Sequence, residues 1–244
     1  MRTDEYLIDS NLVDPFLDLS IPSLFRILQS SATTGAEEIG AGKEATTDKG
    51  YLWVLTRMEI RIQRMPTFME KIKVSTYPGE QLGFFYFRHF FAKDERGSDL
   101  FRVASTWALL EEKTRKVVLH SPFSFPFPKE THPNELGRPE KLRAPEKGLT
   151  PAYQREITYS MCDLNGHLNN VRYLELAVDA KSREFYAGHQ ISRILINFEK
   201  EIQEKEKVDI FIEEENDDSF LVVGRVNGED RFLTQFDFAK RNAK

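Results

Sequence analysis

The sequence predicts an α+β protein made of two similar halves, each with an antiparallel sheet wrapped around one central helix. Three observations favour this fold class: the same order of elements occurs twice, a proline-rich segment separates the copies, and the composition suits a substantial core. Of the 244 residues, 40% are hydrophobic and 30% are charged, which excludes a disordered chain. Seven of the 11 prolines lie within residues 122–151. We therefore expect an N-terminal half at 1–128, a linker at 129–150 and a C-terminal half at 151–244.

The N-terminal half is expected to begin with a strand from Tyr6 to Val13. A helix then starts near Ser20, with Pro22 in its first turn, where a missing backbone N–H leaves no bond unmade. Alternation of apolar and polar residues predicts the strands that follow. These are Leu52 to Gln63, Phe68 to Tyr77, Leu82 to Asp94, Leu100 to Glu111 and Lys116 to His120.

The C-terminal half repeats this order. It is expected to contain a strand from Tyr153 to Tyr159, a loop from Met161 to His167 and a helix from Asn169 to Tyr186. The predicted strands after the helix are Ile191 to Phe198, Lys207 to Glu214, Ser219 to Val226 and Arg231 to Phe238. The pair Asn227-Gly228 predicts a tight hairpin, because both residues tolerate positive φ angles. A helix followed by antiparallel strands, twice over, is typical of a double hotdog fold.

Charge and cysteine content narrow the classes of function. The net charge of −5 argues against a general binder of nucleic acids or of anionic membranes. The single cysteine, Cys162, cannot form an internal disulfide, and no Cys/His cluster has metal-ligand spacing, so we expect neither a metal nor a cofactor. No apolar stretch is long enough to span a membrane, and the acidic N-terminal residues are unlike a signal peptide. A cytoplasmic location is expected.

Polar residues concentrate in the loop before the second helix. Asp163, Asn165 and His167 alternate along it, so in an extended conformation their side chains would converge on one side. Such a set could orient or deprotonate water, and Gly166 permits close approach of a substrate. N–H groups at the helix start offer an oxyanion site. The alternative is that these residues only form turns and caps, with Asn169 as the helix cap.

The same loop resembles a known family. Its sequence from Asp163 to Tyr173, Asp-Leu-Asn-Gly-His-Leu-Asn-Asn-Val-Arg-Tyr, is similar to the signature of acyl-acyl carrier protein (acyl-ACP) thioesterases, which are tandem hotdog enzymes. Matches elsewhere occur in the same order along the chain. They are Trp53-Val-Leu-Thr-Arg-Met, Arg88 in an aromatic strand, Ala104-Ser-Thr-Trp-Ala-Leu-Leu and Pro139-Glu-Lys-Leu.

The resemblance implies a thioester hydrolase that releases fatty acid from acyl-ACP. Its catalytic residues would be Asp163, Asn165, His167 and Glu201, the last in the segment Phe-Glu-Lys-Glu-Ile at 198–202. Plant members have a cysteine after that glutamate, but this chain has Ile202, which excludes a cysteine nucleophile there. Attack by water is expected instead, with either Asp163 or Glu201 as general base. Cys162 is interpreted as a small apolar residue.

Residues that contact the acyl chain and the carrier protein are also predicted. The N-terminal half lacks His and Asn in its corresponding segment, Asp14-Pro-Phe-Leu-Asp-Leu-Ser, and is expected to hold the acyl chain, so that each chain has one site. Acidic carrier proteins favour basic partners. The expected substrate contacts are Asn169, Tyr173, Phe87 and Trp107, and the expected carrier-protein contacts are Arg57, Arg61, Arg64 and Lys141.

Other interpretations remain open. One is an acyl-CoA thioesterase of the wider hotdog group, and another is a non-catalytic acyl-binding module, which Glu201 pointing away from His167 would favour. The chain is expected to act as a monomer or homodimer.

Overall fold

The computed structural model describes residues 1–119, 136–216 and 218–241. The chain divides into an N-terminal unit, Met1–Leu19 with Ser23–Pro139, and a C-terminal unit, Ser20–Pro22 with Glu140–Lys244. The predicted boundary at residues 128 and 129 lies outside the described residues. Among the residues described, each unit contributes five antiparallel strands, and no helix is both long and apolar enough to cross a membrane.

In the N-terminal unit the strands lie in the order β1-β3-β4-β5-β2. The elements are β1 (Arg2–Leu7), α1 (Ile21–Glu38), β2 (Tyr51–Ile62), β3 (Lys71–Leu82), β4 (Phe85–Asp94) and β5 (Asp99–Glu111). Leu24, Phe25 and Leu28 of α1 are fully buried, which fixes the apolar face of the helix against its surroundings. On β4, the side chain of Arg88 approaches α1, because a Cβ added at Gly35 would lie 3.0 Å from its Nη1.

Two predicted elements of this unit are wrong. The first strand ends at Leu7 and not at Val13, because residues beyond it turn: the amide of Asn11 donates to Asp9 Oδ1, and that of Phe16 to Asp14 Oδ1. The short strand expected at Lys116 to His120 is reduced, within the described residues, to one isolated bridge between Val117 and Leu110. His120 lies outside the described residues.

In the C-terminal unit the strands lie in the order β7-β10-β9-β8-β6. The elements are β6 (Thr150–Glu156), α2 (Asn170–Val178), α3 (Arg183–Gly188), β7 (His189–Phe198), β8 (Lys207–Asn216), β9 (Ser219–Val226) and β10 (Glu229–Lys240). Asn227 and Gly228 have φ angles of 53° and 78°, so the predicted hairpin turn is confirmed.

The helix predicted from Asn169 to Tyr186 is two helices. Asp179 ends α2, and Ser182, with extended backbone at φ −81° and ψ 166°, precedes α3. Between them the ammonium group of Lys181 lies 5.1 Å from the ring centre of Phe185, a cation–π contact. The break turns α3 toward the aromatic residues at the ends of β9 and β10, where Phe185 packs on Phe238 at 5.0 Å.

Candidate active site

The loop before α2 is a tight turn, not the extended segment that the residue spacing predicts. The carboxylate of Asp163 accepts a hydrogen bond from the amide of Asn165 at 2.8 Å, and its carbonyl accepts one from Gly166 at 3.0 Å. Gly166 has a φ of +77°, which a glycine adopts without strain. The amide of Asp163 donates to His167 O at 2.8 Å and closes the turn. Asn165 is therefore exposed at the tip, and the chain returns inward at His167.

The returning strand of this turn binds the segment after β7. The amide of Leu168 donates to Ile202 O at 2.7 Å, and His167 bridges Gln203. As a result, His167 Nε2 lies 3.4 Å from Glu201 Oε2. The His167 and Glu201 side chains are 21% and 39% exposed, so both can be reached from solvent. The structure brings together the predicted imidazole and carboxylate from positions 34 residues apart in the sequence.

Asn169 caps α2. Its side-chain oxygen accepts from the amide of Val171 at 2.9 Å, and its carbonyl accepts from the amide of Arg172 at 2.8 Å. N–H groups at the start of this helix were expected to offer an oxyanion site, and the cap already uses two of them. The Asn165 side-chain amide, by contrast, makes no hydrogen bond within the described ranges, which leaves it available to a substrate.

Tyr173 is 3% exposed and lies in the core of the C-terminal unit. Its ring contacts Phe198 and Phe232 at centroid distances of 5.2 and 5.3 Å, and its hydroxyl accepts a hydrogen bond from the amide of Ile202 at 3.2 Å. Burial raises the pKa of the phenol, so the group stays protonated. Tyr173, which was expected to contact substrate, thus binds the segment that carries Glu201 from the core of the C-terminal unit.

Cys162 is a poor nucleophile in this environment. Burial raises the pKa of its thiol, and the nearby carboxylates of Glu204 and Asp163 raise it further. The sulfur lies 3.7 Å from Thr158 O, as a weak donor. The structure therefore agrees with a neutral thiol at this position.

The two expected acyl contacts of the N-terminal unit lie on opposite faces of its sheet. Tyr86 pairs with Trp107, and Phe87 pairs with Thr106, so Trp107 and Phe87 point in opposite directions. Trp107 shares the face of Arg88, which is the face of α1. Phe87 is covered on the other face by Arg138, whose guanidinium carbon is 5.2 Å from the ring centre. One pocket between α1 and the sheet cannot use both residues.

Three of the four expected carrier-protein residues have carboxylate neighbours. Arg61 Nε lies 3.0 Å from Glu59, Arg64 contacts Glu70 at 2.6 Å, and Lys141 lies 4.0 Å from Glu199. Arg57 instead packs its guanidinium 5.9 Å from the ring centre of Phe85. The positive charge expected from this group of residues is therefore partly neutralised by carboxylates of the same chain.

The N-terminal unit contains the same loop with different side chains. Asp14 N donates to Asp18 O at 2.8 Å, Phe16 N donates to Asp14 Oδ1 at 2.8 Å, and Leu19 N donates to Pro66 O at 2.7 Å. Asp18 also bridges Thr67, as His167 bridges Gln203. Matching these bonds one by one places Asp18 at the position of His167, and Met65 at the position of Glu201.

This correspondence explains why, of the two described loops, only the second carries a His–Glu pair. Asp18 and Met65 are 3% and 5% exposed, so neither offers an accessible acid–base group. The sequence signal for the repeat was visible in the loop beginning at Asp14, but the partner at Met65 could be found only through its backbone bonds. In neither unit, so far as it is described, do three His, Cys, Asp or Glu side chains group as metal ligands.

Two repeats of a loop, a helical segment and five antiparallel strands, with a His–Glu contact in the second repeat, define a double hotdog protein. Comparison with known proteins agrees at the level of sequence. The chain belongs to the acyl-ACP thioesterase family: the model of the N-terminal domain matches residues 2–120, and that of the C-terminal domain matches residues 150–239.

Individual relatives are distant. The chain is 26% identical to a palmitoyl-acyl carrier protein thioesterase of Gossypium hirsutum over 202 residues, which are 75% of this chain and 47% of that protein. It is 23% identical over 229 residues to an oleoyl-acyl carrier protein thioesterase of Arabidopsis thaliana, covering 84% of this chain and 61% of that protein. The chain thus spans about half the length of the first of these relatives.

Solved structures match nearly the whole chain. An acyl-ACP thioesterase from Bacteroides thetaiotaomicron has a TM-score of 0.89 at 26% identity, covering 98% of this chain and 97% of that one. A 12:0-ACP thioesterase from Umbellularia californica has a TM-score of 0.82 at 17% identity, covering 98% and 97% respectively, and supports the fold alone.

Proposed function

We propose that the protein hydrolyses the thioester of fatty acyl-ACP, releasing a free fatty acid and the carrier protein. The observation that carries this proposal is the contact between His167 Nε2 and Glu201 Oε2 at 3.4 Å. An exposed residue, Asn165, lies two positions before the histidine. Membership of the acyl-ACP thioesterase family supports the substrate class. The same contact argues against a non-catalytic module, for which Glu201 would point away from His167.

Glu201 is the better candidate for the general base. The carboxylate of Asp163 already accepts the amide of Asn165, and Asp14 makes the same turn in a unit that has neither the histidine nor the glutamate. An aspartate at this position is therefore explained by the turn alone. The carboxylate of Glu201 lies against His167 Nε2 and is partly exposed, as proton transfer from a bound water requires.

The proposed reaction needs one water molecule and no cofactor. Its oxygen bonds to the thioester carbon while Glu201 takes one proton, and the amide of Asn165 donates to the developing oxyanion. As the carbon–sulfur bond breaks, that proton passes through His167 to the sulfur. The hydroxyl stays on the acyl carbon, so the products are a fatty acid and a free thiol.

The acyl length is left open by the relatives. Those named for palmitoyl, oleoyl and dodecanoyl carriers match at 26%, 24% and 22% identity, so no single length is favoured. A pocket distinguishes one methylene by only about 1–3 kcal/mol, and its depth depends on a few side chains. Trp107, on the α1 face of the sheet, is the residue proposed to contact the acyl chain of the substrate.

The test is an assay of the wild-type protein on a ladder of acyl-ACPs, with the same acyl groups on coenzyme A. The proposal predicts fatty acid release from at least one acyl-ACP with a higher kcat/KM than from the matched acyl-CoA. Faster hydrolysis of acyl-CoA would favour the acyl-CoA thioesterase alternative. Tight binding without hydrolysis of either would favour the acyl-binding module.

A further inference from the structure

Arg231, on β10, occupies a position that the two repeats fill differently. Its carbonyl accepts the amides of Glu199 and Lys200 at 2.9 and 3.1 Å. In the N-terminal unit, Leu100 O accepts the amides of Gln63 and Arg64 at the same distances, 2.9 and 3.1 Å. Leu100 is fully buried. The backbone bonds of this position are therefore made equally well around an apolar side chain.

The side chain of Arg231 reaches the segment that carries Glu201. Its Nη1 donates to Glu201 O at 3.3 Å, and its guanidinium lies 3.7 Å from carboxylate oxygens of both Glu206 and Glu229. Its Nε is buried and has no hydrogen-bond partner in the part of the chain that is described. An unsatisfied buried donor costs stability, so the fold by itself would favour leucine here.

Tyr173 shows the same contrast. In the C-terminal unit its hydroxyl accepts the amide of Ile202, the residue after Glu201. The equivalent pair in the N-terminal unit is Leu24, which is fully buried and apolar, and Pro66, which has no N–H to donate. Donor and acceptor are thus both absent from the repeat that lacks the His–Glu pair.

We propose that Arg231 and Tyr173 are positioning residues. They hold the peptide unit between Glu201 and Ile202, so that the carboxylate of Glu201 stays beside His167. This inference rests on the proposed function for its kinetic consequences. Arg231 fixes the carbonyl of Glu201, and Tyr173 fixes the amide of Ile202, so the peptide unit between them is bound at both ends. Glu201 lies in an irregular segment after β7, and the backbone bonds between this segment and the loop begin one residue later, at Ile202 O.

The N-terminal unit provides the internal control for this inference. The bonds of Leu19 N to Pro66 O and of Leu168 N to Ile202 O are both 2.7 Å, although the first segment has leucines at the positions of Arg231 and Tyr173. The matched carbonyl, that of Met65, accepts a bond of 3.5 Å from the neighbouring Arg64 and not from the adjacent strand. The loop and the sheet therefore form without these two side chains. What distinguishes the C-terminal unit is Glu201, whose carboxylate must be held beside His167.

The experiment replaces Arg231 with the residue of the other repeat. Arg231→Leu is expected to lower kcat on acyl-ACP by about 10- to 100-fold while KM changes by less than about threefold. The reason is that substrate binding is retained, whereas the carboxylate of Glu201 is no longer held beside His167. Arg231→Lys, which keeps the charge, should recover part of this loss. Arg225→Leu is the matched control: Arg225 also pairs with a carboxylate, Asp230 at 2.6 Å, and should keep wild-type kcat.

A double variant distinguishes displacement of the Glu201 carboxylate from a general loss of protein stability. If Arg231 acts through Glu201, adding Arg231→Leu to Glu201→Gln should reduce the remaining rate by less than about twofold. Multiplication of the two losses would overturn the proposal, as would wild-type kcat in Arg231→Leu. Tyr173→Phe removes only the hydroxyl and should also lower kcat. It takes the place of Arg231→Leu if that variant does not fold.

A crystal structure of the Arg231→Leu variant, or of Tyr173→Phe if the former does not fold, tests the positioning without any assay of activity. We expect the distance between His167 Nε2 and Glu201 Oε2 to lengthen beyond hydrogen-bond reach, with the rest of the C-terminal unit unchanged. An unaltered distance would refute the positioning role. This holds even if wild-type protein hydrolyses no thioester, so failure of the proposed function and failure of this inference give different results.

Discussion

The imidazole of His167 and the carboxylate of Glu201 meet at 3.4 Å, and the matched backbone positions of the N-terminal unit hold Asp18 and Met65. The two units use the same turn and the same bond to the following segment. Only one of them ends with an acid–base pair that solvent can reach. The acid–base pair of the proposed site therefore consists of two residues of the C-terminal unit.

Asp163 is predicted to act through the turn rather than as the base. Asp163→Asn keeps an oxygen that can accept the amide of Asn165, so we expect most of the wild-type kcat to remain. Asp163→Ala loses that bond, and should lower the free energy of unfolding by about 1 kcal/mol together with kcat. Steady-state kinetics and urea denaturation measure both. A kcat for Asp163→Asn as low as that of Glu201→Gln would make Asp163 the base.

Asn165 is predicted to contribute to the reaction without contributing to stability. Its side-chain amide lies at the exposed tip of the turn and binds no other described residue. Asn165→Ala should therefore leave the thermal unfolding midpoint unchanged while kcat/KM falls by about 10²-fold, in the range seen for a lost oxyanion donor. Asn165→Asp, which keeps the shape but removes the donor, should be at least as slow. A wild-type rate in both variants would remove Asn165 from the site.

Carrier-protein recognition should depend on Arg57 more than on the paired cations. Arg57→Gln is expected to raise KM for acyl-ACP by about 2- to 5-fold at low salt and to leave KM for acyl-CoA unchanged, because a rim charge contributes at most about 1 kcal/mol. The effect should fade at high ionic strength. Arg26→Gln, which removes an exposed charge on α1, is the control. Equal effects of both variants would point to net charge alone.

Arg64 is predicted to be a structural cation. Its hydrogen bonds to Glu70 hold the pKa of that carboxyl below its ordinary value of 4.5, and the Thr67 amide acts in the same direction. A lowered pKa in the folded state gives stability that is present above pH 4.5 and is lost as the pH falls through the folded value. Glu70→Gln should thus unfold more easily than wild type at pH 7, with the difference shrinking in acid. Urea midpoints at several pH values would show this, and a constant difference would contradict it.

The sequence predicted the repeated order of elements, for identifiable physical reasons. Period-2 alternation marks half-buried strands, and Asn227-Gly228 marks a turn that few other pairs can form. The break between α2 and α3 was missed because residues 179–182 are compatible with helix, and a contact distant in sequence, between the Lys181 ammonium group and the Phe220 ring at 5.2 Å, decides the direction of the chain.

Features that depend on tertiary contact were beyond the sequence. The spacing of Asp163, Asn165 and His167 predicted convergence on one side of an extended chain, whereas an Asx turn places Asn165 at the tip and directs His167 to Glu201. Phe87 was not distinguishable from Trp107, since only the register of β4 on β5 puts them on opposite faces. Arg231 carries no motif, and becomes visible through its bond to the carbonyl of Glu201.

The most direct test of the central claim compares wild-type protein with Glu201→Gln on the acyl-ACP that wild type hydrolyses fastest. Glu201→Gln is expected to fold normally and to lose about 10²- to 10⁴-fold in kcat, the range for removal of a general base. Glu199→Gln, two residues earlier in the same segment, should retain the wild-type rate. Equal rates for wild type and Glu201→Gln would contradict the account.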